Sequence, residues 1–458
     1  MENKKILQNL QIYNVDKQTF SETTDILIEN GVIGKIDYVP LEDHHTAEVF
    51  DCSEKYALPG LFESHAHLAL LSVLKPENKK WVLQSFLDKG ITQIRDVGGP
   101  LDFLKRLTQE ISTGKLKGPD IFYSGPMLEK SPLTWKRNNE VFPGFTTSVN
   151  TIEDAEQIIT TLVDQDATFV KTFNKFDREV FEYLFQRAKE SDLRFTLDPG
   201  SPFFPSISIR LGLELGVNCF EHASHILSSV LVDDLEKEQV FPDNSQEQKD
   251  SFVKKILQQG TNSIDKTKLT HLLSTMVEND SYYCLTLAVF HPEKGIDFSK
   301  PETVADSSLS KEEKKYYPAI MNDLKNAFKD IQEDEDARKR RYGTFTKAED
   351  VYPFLKLFTQ HMAKANVKLL AGHDGFSPIR TILELELLKE YGFSPAQVLN
   401  SATLYPAAWL GIEDQYGSLT KKKKANILIV NDNPLSDIQN IKKVHLVFKD
   451  GTVVYQEP

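Results

Sequence analysis

Between about residues 57 and 415, short apolar runs alternate with amphipathic stretches, and this alternation limits the possible folds more than any other feature of the chain. The apolar runs are ALPGLFESHAH, ITQIRDVG, DIFYSG, TFVKTF, RFTLD, VNCFEHA, YYCLTLAVF and VKLLAGHDG, eight in all. Helices are predicted between them at NKKWVLQSFLDKG, LDFLKRLTQEIS, TIEDAEQIITTLVDQ with Thr151 as its cap, REVFEYLFQRAKES and SISIRLGLELG. Strands separated by helices pair in parallel, because a parallel neighbour needs a crossover long enough to hold a helix. Eight such units close most simply into a (β/α)8 TIM barrel, with its reactive groups at the C-terminal ends of the strands. A doubly wound sheet is the alternative.

The two ends of the chain read differently. DILIENGVIGKIDYV is a pair of short strands around Asn30-Gly31, a strong hairpin signal, and the tail carries three more strands with Asp450-Gly451 as a second hairpin turn. The expected organisation is therefore α/β, with residues 57–415 as the barrel and residues 1–56 plus 416–458 as a small composite β-sandwich domain. Two connections, 227–281 and 291–366, exceed a single crossover helix and are expected as lids facing the substrate.

Charge excludes some partners. With 54 basic against 67 acidic residues the net charge is -13, which speaks against nucleic acid, and the basic run Lys421 to Lys424 reads as a solvated turn. No apolar run approaches the roughly 18 residues a membrane span requires, and the amino terminus lacks a secretory core. Three widely spaced cysteines, Cys52, Cys219 and Cys284, fit a reducing cytoplasm. Expected partners are thus a small-molecule substrate, neither nucleic acid nor membrane, with homo-oligomerisation open.

Polar residues gather at the predicted strand ends. His65 and His67 end the first strand, Lys171 the fourth, Asp198 the fifth, His222 the sixth and Asp374 the eighth. Residues two apart on a strand share a face, so the two imidazoles point together into the barrel mouth, where they can grip one cation. Burying them bare would cost free energy; coordination reverses the sign. Singly, each residue has an ordinary structural explanation, but six ionisable groups at one rim predict a metal site.

These residues carry a resemblance. ALPGLFESHAHL, GITQIRDVGG, ATFVKTF, FEHASH, LLAGHDG, SPAQVLNSATLYPAAWLGIED and the closing GSLTKKKKANILIVNDNPL with VFKDGTVV resemble, in order, the metal-dependent amidohydrolase superfamily, on its imidazolonepropionase-like and prolidase-like branch. The resemblance implies that His65 and His67 bind the more buried metal, that Asp374 completes that site, that Lys171 is a carbamate formed with carbon dioxide and bridging two metals, and that His222 binds the second. It departs at strand five, where the family has a histidine and RFTLDPGSP has Asp198. Aspartate also ligates zinc or manganese, so one or two divalent ions, zinc the expected metal, both fit. His373 beside Asp374 points away by strand alternation and is expected to pack.

The implied chemistry is hydrolysis of an amide bond by metal-activated water, with Asp374 taking the proton and returning it to the departing nitrogen. Dipeptides or acyl amino acids are expected ahead of cyclic amides. Arg95, Tyr123, Lys136, Arg137 and His225 are the candidates for holding substrate, His225 foremost. A deaminase is disfavoured because FEHASH lacks its His-x-x-Glu element. A lactone or phosphotriester hydrolase on the same site, or a silent scaffold that has lost a ligand at Asp198, remain the alternatives.

Overall fold

The Asn30-Gly31 pair turns as its sequence demands. Both residues are left-handed, at φ 51° and 85°, and strand Thr24–Glu29 pairs antiparallel with Val32–Ile36 through Glu29 opposite Val32. Asp450-Gly451, at φ 47° and 69°, joins Val444–Lys449 to Thr452–Gln456 in the same way. The computed structural model describes residues 4–37, 39, 47–239, 245–291, 311–329 and 348–458. Strands from the two ends of the chain share one nine-stranded sheet, in which Lys4–Asn14 lies beside Tyr56–Pro59, and Tyr56–Pro59 beside Ile427–Val430. Leu7, Leu10, Ile26, Ile33, Ile427 and Phe448 form its apolar core.

All eight predicted inner strands are present, and all pair in parallel. Leu61–Ala66, Ile91–Asp96 and Asp120–Tyr123 form a three-stranded sheet. Phe169–Phe173, Arg194–Asp198, Cys219–Glu221, Tyr282–Cys284 and Lys368–Leu369 follow one another in a seven-stranded sheet. Two short strands that sequence patterning missed, Met127–Glu129 and Thr146–Ser148, lie at its edge; three residues are too few to show a period. The sheets meet on both sides. Ser64 N donates to Ala371 O at 2.8 Å and Ala66 bridges Gly375, while Thr168 N donates to Tyr123 O at 2.9 Å.

Ile91–Asp96 and Phe169–Phe173 are buried at every position, as expected of parallel strands covered on both faces. Thr151 caps its helix in a reciprocal box: its hydroxyl accepts from Asp154 N and the Asp154 carboxylate accepts from Thr151 N, each at 3.1 Å. The described part of the insert at 227–281 includes the helices Gln246–Gln259 and Lys266–Glu278. The insert at 291–366 lies partly outside the described residues and contributes the helices Lys311–Phe328 and Ala348–Ala365. Asp323 anchors the first of these, accepting from Lys75 N (3.1 Å) and Asn78 Nδ2 (2.6 Å) at the start of helix Pro76–Asp88, and Tyr316 stacks on Trp81. No helix among the described residues is long and apolar enough to cross a membrane.

Candidate metal centre

His65 closes strand Leu61–Ala66, His67 follows it, and Asp374 follows Lys368–Leu369. Backbone bonds lock these ends together: Asp374 N donates to His65 O (2.9 Å) and His67 N to Gly375 O (3.0 Å). Asp374 adopts a left-handed φ of 62°, a conformation that aspartate tolerates better than most side chains. Its Oδ1 lies 3.1 Å from His67 Nε2 and 3.7 Å from His65 Nε2.

Each imidazole is oriented from behind. His65 Nδ1 sits 2.7 Å from Glu221 Oε2, and His67 Nδ1 sits 3.1 Å from Gly98 O. Carboxylate and carbonyl oxygens only accept, so these partners assign the proton to Nδ1 and leave a lone pair on each Nε2. His65 Nε2 is fully buried and has no hydrogen-bond partner. Two nitrogen lone pairs and an anionic oxygen facing one another repel unless a cation joins them. Two imidazoles and a carboxylate are a donor set suited to a divalent ion such as zinc, so the residues fit the group that the resemblance implies.

For His65 and Asp374, electrostatics favour the same states. Burial, helped by the Lys171 charge, pushes His65 down to about 3 and keeps it neutral, as a ligand must be. Burial opposes ionisation of Asp374, but its contacts with the neighbouring imidazoles, His67 first, outweigh it and hold the carboxyl well below its usual range.

A second cluster adjoins the first. Asp198, at the end of strand Arg194–Asp198, places Oδ2 3.1 Å from His222 Nε2 and 3.3 Å from Lys171 Nζ. Its Oδ1 lies 3.1 Å from His225 Nδ1 and accepts from Gly200 N at 2.8 Å. The other nitrogen of His222, Nδ1, meets Thr286 Oγ1 at 2.8 Å, and its ring centroid is 4.7 Å from that of His65. His65, His67, Lys171, Asp198, His222, His225 and Asp374 all line one cavity of about 860 Å³. Its outer wall is apolar, with Trp135, Phe145, Phe173 and Phe376, and helix Lys311–Phe328 closes one side with Met321, Leu324 and Phe328. Arg137, Lys325 and Lys329 supply positive charge there, Arg137 lying 4.9 Å over the Phe328 ring. Among the described residues no lining residue comes from 227–281, and the second insert supplies Met321, Leu324, Lys325, Phe328 and Lys329.

Two substrate candidates are corrected. Arg95 is fully buried behind the centre, where it donates to Glu221 Oε1 (2.6 Å) and Ser64 O (2.7 Å) between the Trp409 and Phe169 rings. Tyr123 donates its hydroxyl to Gln165 O at 2.7 Å. Neither lines the cavity, nor does Lys136. His373 turns away as expected, with Nδ1 2.7 Å from Glu63 Oε2 and Nε2 accepting from Ser377 N. Glu221 is the functional residue that sequence reading missed. It precedes His222 and by alternation should face the opposite way, but His222 has a φ of 65°, and both side chains reach His65.

Residues 360–454 match the profile of the Amidohydrolase family. A comparison with curated proteins finds no match. Among solved structures, a Xaa-Pro dipeptidase with bound methionine in its active site superposes with a TM-score of 0.67 at 17% identity, covering 99% of this chain and 100% of that one. The ochratoxinase of A. niger gives 0.67 at 15% identity, covering 99% and 96%, and molinate hydrolase gives 0.66 at 14%, covering 99% and 94%. At these identities the likeness is one of fold. Residues 360–454 thus match the Amidohydrolase family, and the chain along its length shares the fold of these solved structures.

Proposed function

We propose that the protein hydrolyses the amide bond of a small substrate carrying an apolar acyl or side-chain group and a carboxylate, a dipeptide or an acyl amino acid, with one divalent ion on His65, His67 and Asp374. One observation carries this reading. The unpartnered Nε2 of His65 is aimed at Asp374 Oδ1 inside a cavity walled by aromatic rings. When bound, such an ion polarises a carbonyl and yields a nucleophile from water at neutral pH.

The chain's own residues do the rest. Asp374, whose side chain is 28% exposed, is open to the cavity and takes the proton of the attacking water before passing it to the departing nitrogen. Glu221 holds the His65 ring and Gly98 O the His67 ring, so neither ligand rotates during the reaction. Trp135, Phe145, Phe173 and Phe328 exclude water and receive the apolar group. Arg137 and Lys325 offer the positive charge that a carboxylate seeks. His225, held by Asp198, orients the carbonyl end of the substrate. The backbone bonds that join the two parallel sheets on either side support one closed (β/α)8 barrel. The many partners of strand Lys4–Asn14 support a terminal sheet folded over as a β-sandwich domain.

The test is a panel of N-acyl amino acids and dipeptides, assayed before and after chelation, with zinc restored, and on Asp374→Asn. Hydrolysis should vanish on chelation, return with zinc, and fall by about 10²- to 10⁴-fold in the variant. Turnover indifferent to chelation and to Asp374→Asn refutes the reading.

A further inference from the structure

The side chains beyond His65 differ in kind from the open triad beside them. Both Asp198 oxygens are engaged, Oδ2 by His222 and Lys171 and Oδ1 by His225 and Gly200 N. The Thr286 hydroxyl can donate to His222 Nδ1, so the neutral ring is able to donate from Nε2 to Asp198, 3.1 Å away, whereas His67, whose Nδ1 faces a carbonyl, has no such way to match its carboxylate neighbour. Lys171 is fully buried, and Asp198 is its one ion-pair partner among the described residues. A buried cation and a buried anion 3.3 Å apart neutralise each other, and either left alone in this interior is strongly unfavourable.

From this geometry we infer that the Lys171–Asp198 ion pair stands where a second cation would otherwise sit, so that the centre holds a single metal ion and Lys171 stays an unmodified amine. The inference rests on the metal-centre reading above and narrows it. Joining carbon dioxide to Lys171 would replace its positive charge by a negative one directly against Asp198, two buried anions that only a further divalent ion could reconcile. Among the described residues, no third His, Cys, Asp or Glu converges with Asp198 and His222 to hold such an ion. Among the described residues, the groups of three whose donor atoms lie within 4.8 Å of one another are His65, His67, Asp374 and His65, Glu221, Cys284, and neither includes Asp198 or His222. In the second group His65 Nδ1 and Glu221 are already hydrogen-bonded to each other. Lys171 and Asp198 are therefore positioning residues, whose pair holds His222 and His225 at the cavity floor.

The experiment is elemental analysis of the full-length protein by plasma mass spectrometry, as purified and after equilibration with excess zinc, together with carbon-13 NMR in labelled bicarbonate. One equivalent of metal per chain and no lysine-carbamate resonance are expected. Lys171→Met, shown folded by circular dichroism, should still hold one equivalent, because Lys171 is not a ligand. Two equivalents, or a carbamate resonance, overturn the inference and leave the hydrolase reading intact. Loss of metal from a folded Lys171→Met protein overturns it also. No metal under any condition overturns both readings, whereas one equivalent without amide hydrolysis removes only the functional one.

Discussion

Glu221→Gln separates the two duties of a buried carboxylate, because Glu221 orients His65, a proposed metal ligand, and neutralises Arg95 at once. Its Oε2 meets His65 Nδ1 at 2.7 Å, and Oε1 accepts from Arg95 Nη2 and Thr196 Oγ1, each at 2.6 Å. Glutamine keeps the shape and removes the charge. Arg95, with no exposure to solvent, is then an unmatched cation, and breaking a buried pair in this way costs about 3–5 kcal/mol. Glutamine has one accepting oxygen where two were used, and turned toward Arg95 and Thr196 it shows His65 an amino group in place of an acceptor, which weakens metal binding by about 10- to 100-fold. Denaturant unfolding of the metal-free protein measures the first effect without ligand linkage, and chelator competition for zinc measures the second. Adding Arg95→Met removes the stranded charge, so most of the stability should return while the metal affinity stays low. A stability loss under about 1 kcal/mol, the size of an exposed pair, refutes the electrostatic argument. So does a double variant that regains affinity but not stability.

Three further outcomes follow from the same contacts. Burial pushes Glu384 up to about 8 from an ordinary 4.5, so the folded chain keeps a proton that the unfolded chain loses between those values. Stability should fall as pH rises through that window, and the advantage of Glu384→Gln over the parent should widen from pH 5 to pH 8 and then level, as read by denaturant midpoints; a gap independent of pH contradicts this. Asp323→Ala removes the carboxylate that ties helix Lys311–Phe328 to Lys75 N and Asn78, at a cost of about 1 kcal/mol, with faster amide exchange confined to that helix. Phe328→Ala takes away a cavity wall and the ring under Arg137, so KM should rise about tenfold with kcat held, and a fall in kcat alone would place Phe328 in the chemistry instead.

Much of this architecture is legible in the chain itself. Hairpin turns at Asn30-Gly31 and Asp450-Gly451 and the Thr151 cap depend on interactions within a few residues, and the eight inner strands show as short apolar runs, both of which local patterning records. That His65 and His67 face the same way is legible because a strand repeats every two residues. Arg95 and Tyr123 misled because a strand-end position does not say which groups lie behind the strand: Arg95 found Glu221, and Tyr123 found Gln165 O.

What the sequence determined alone was the order of the elements and the shortlist of ionisable residues at the rim, since both follow from periodicity. Tertiary structure decided how those residues act on one another. The left-handed backbone at His222 and Asp374 breaks the local alternation, and partners as distant in sequence as His65 and Glu221, or Lys171 and Asp198, meet only when the sheets assemble. Which nitrogens carry lone pairs, and which charges are already matched, depends on those long-range neighbours, and no local pattern encodes them.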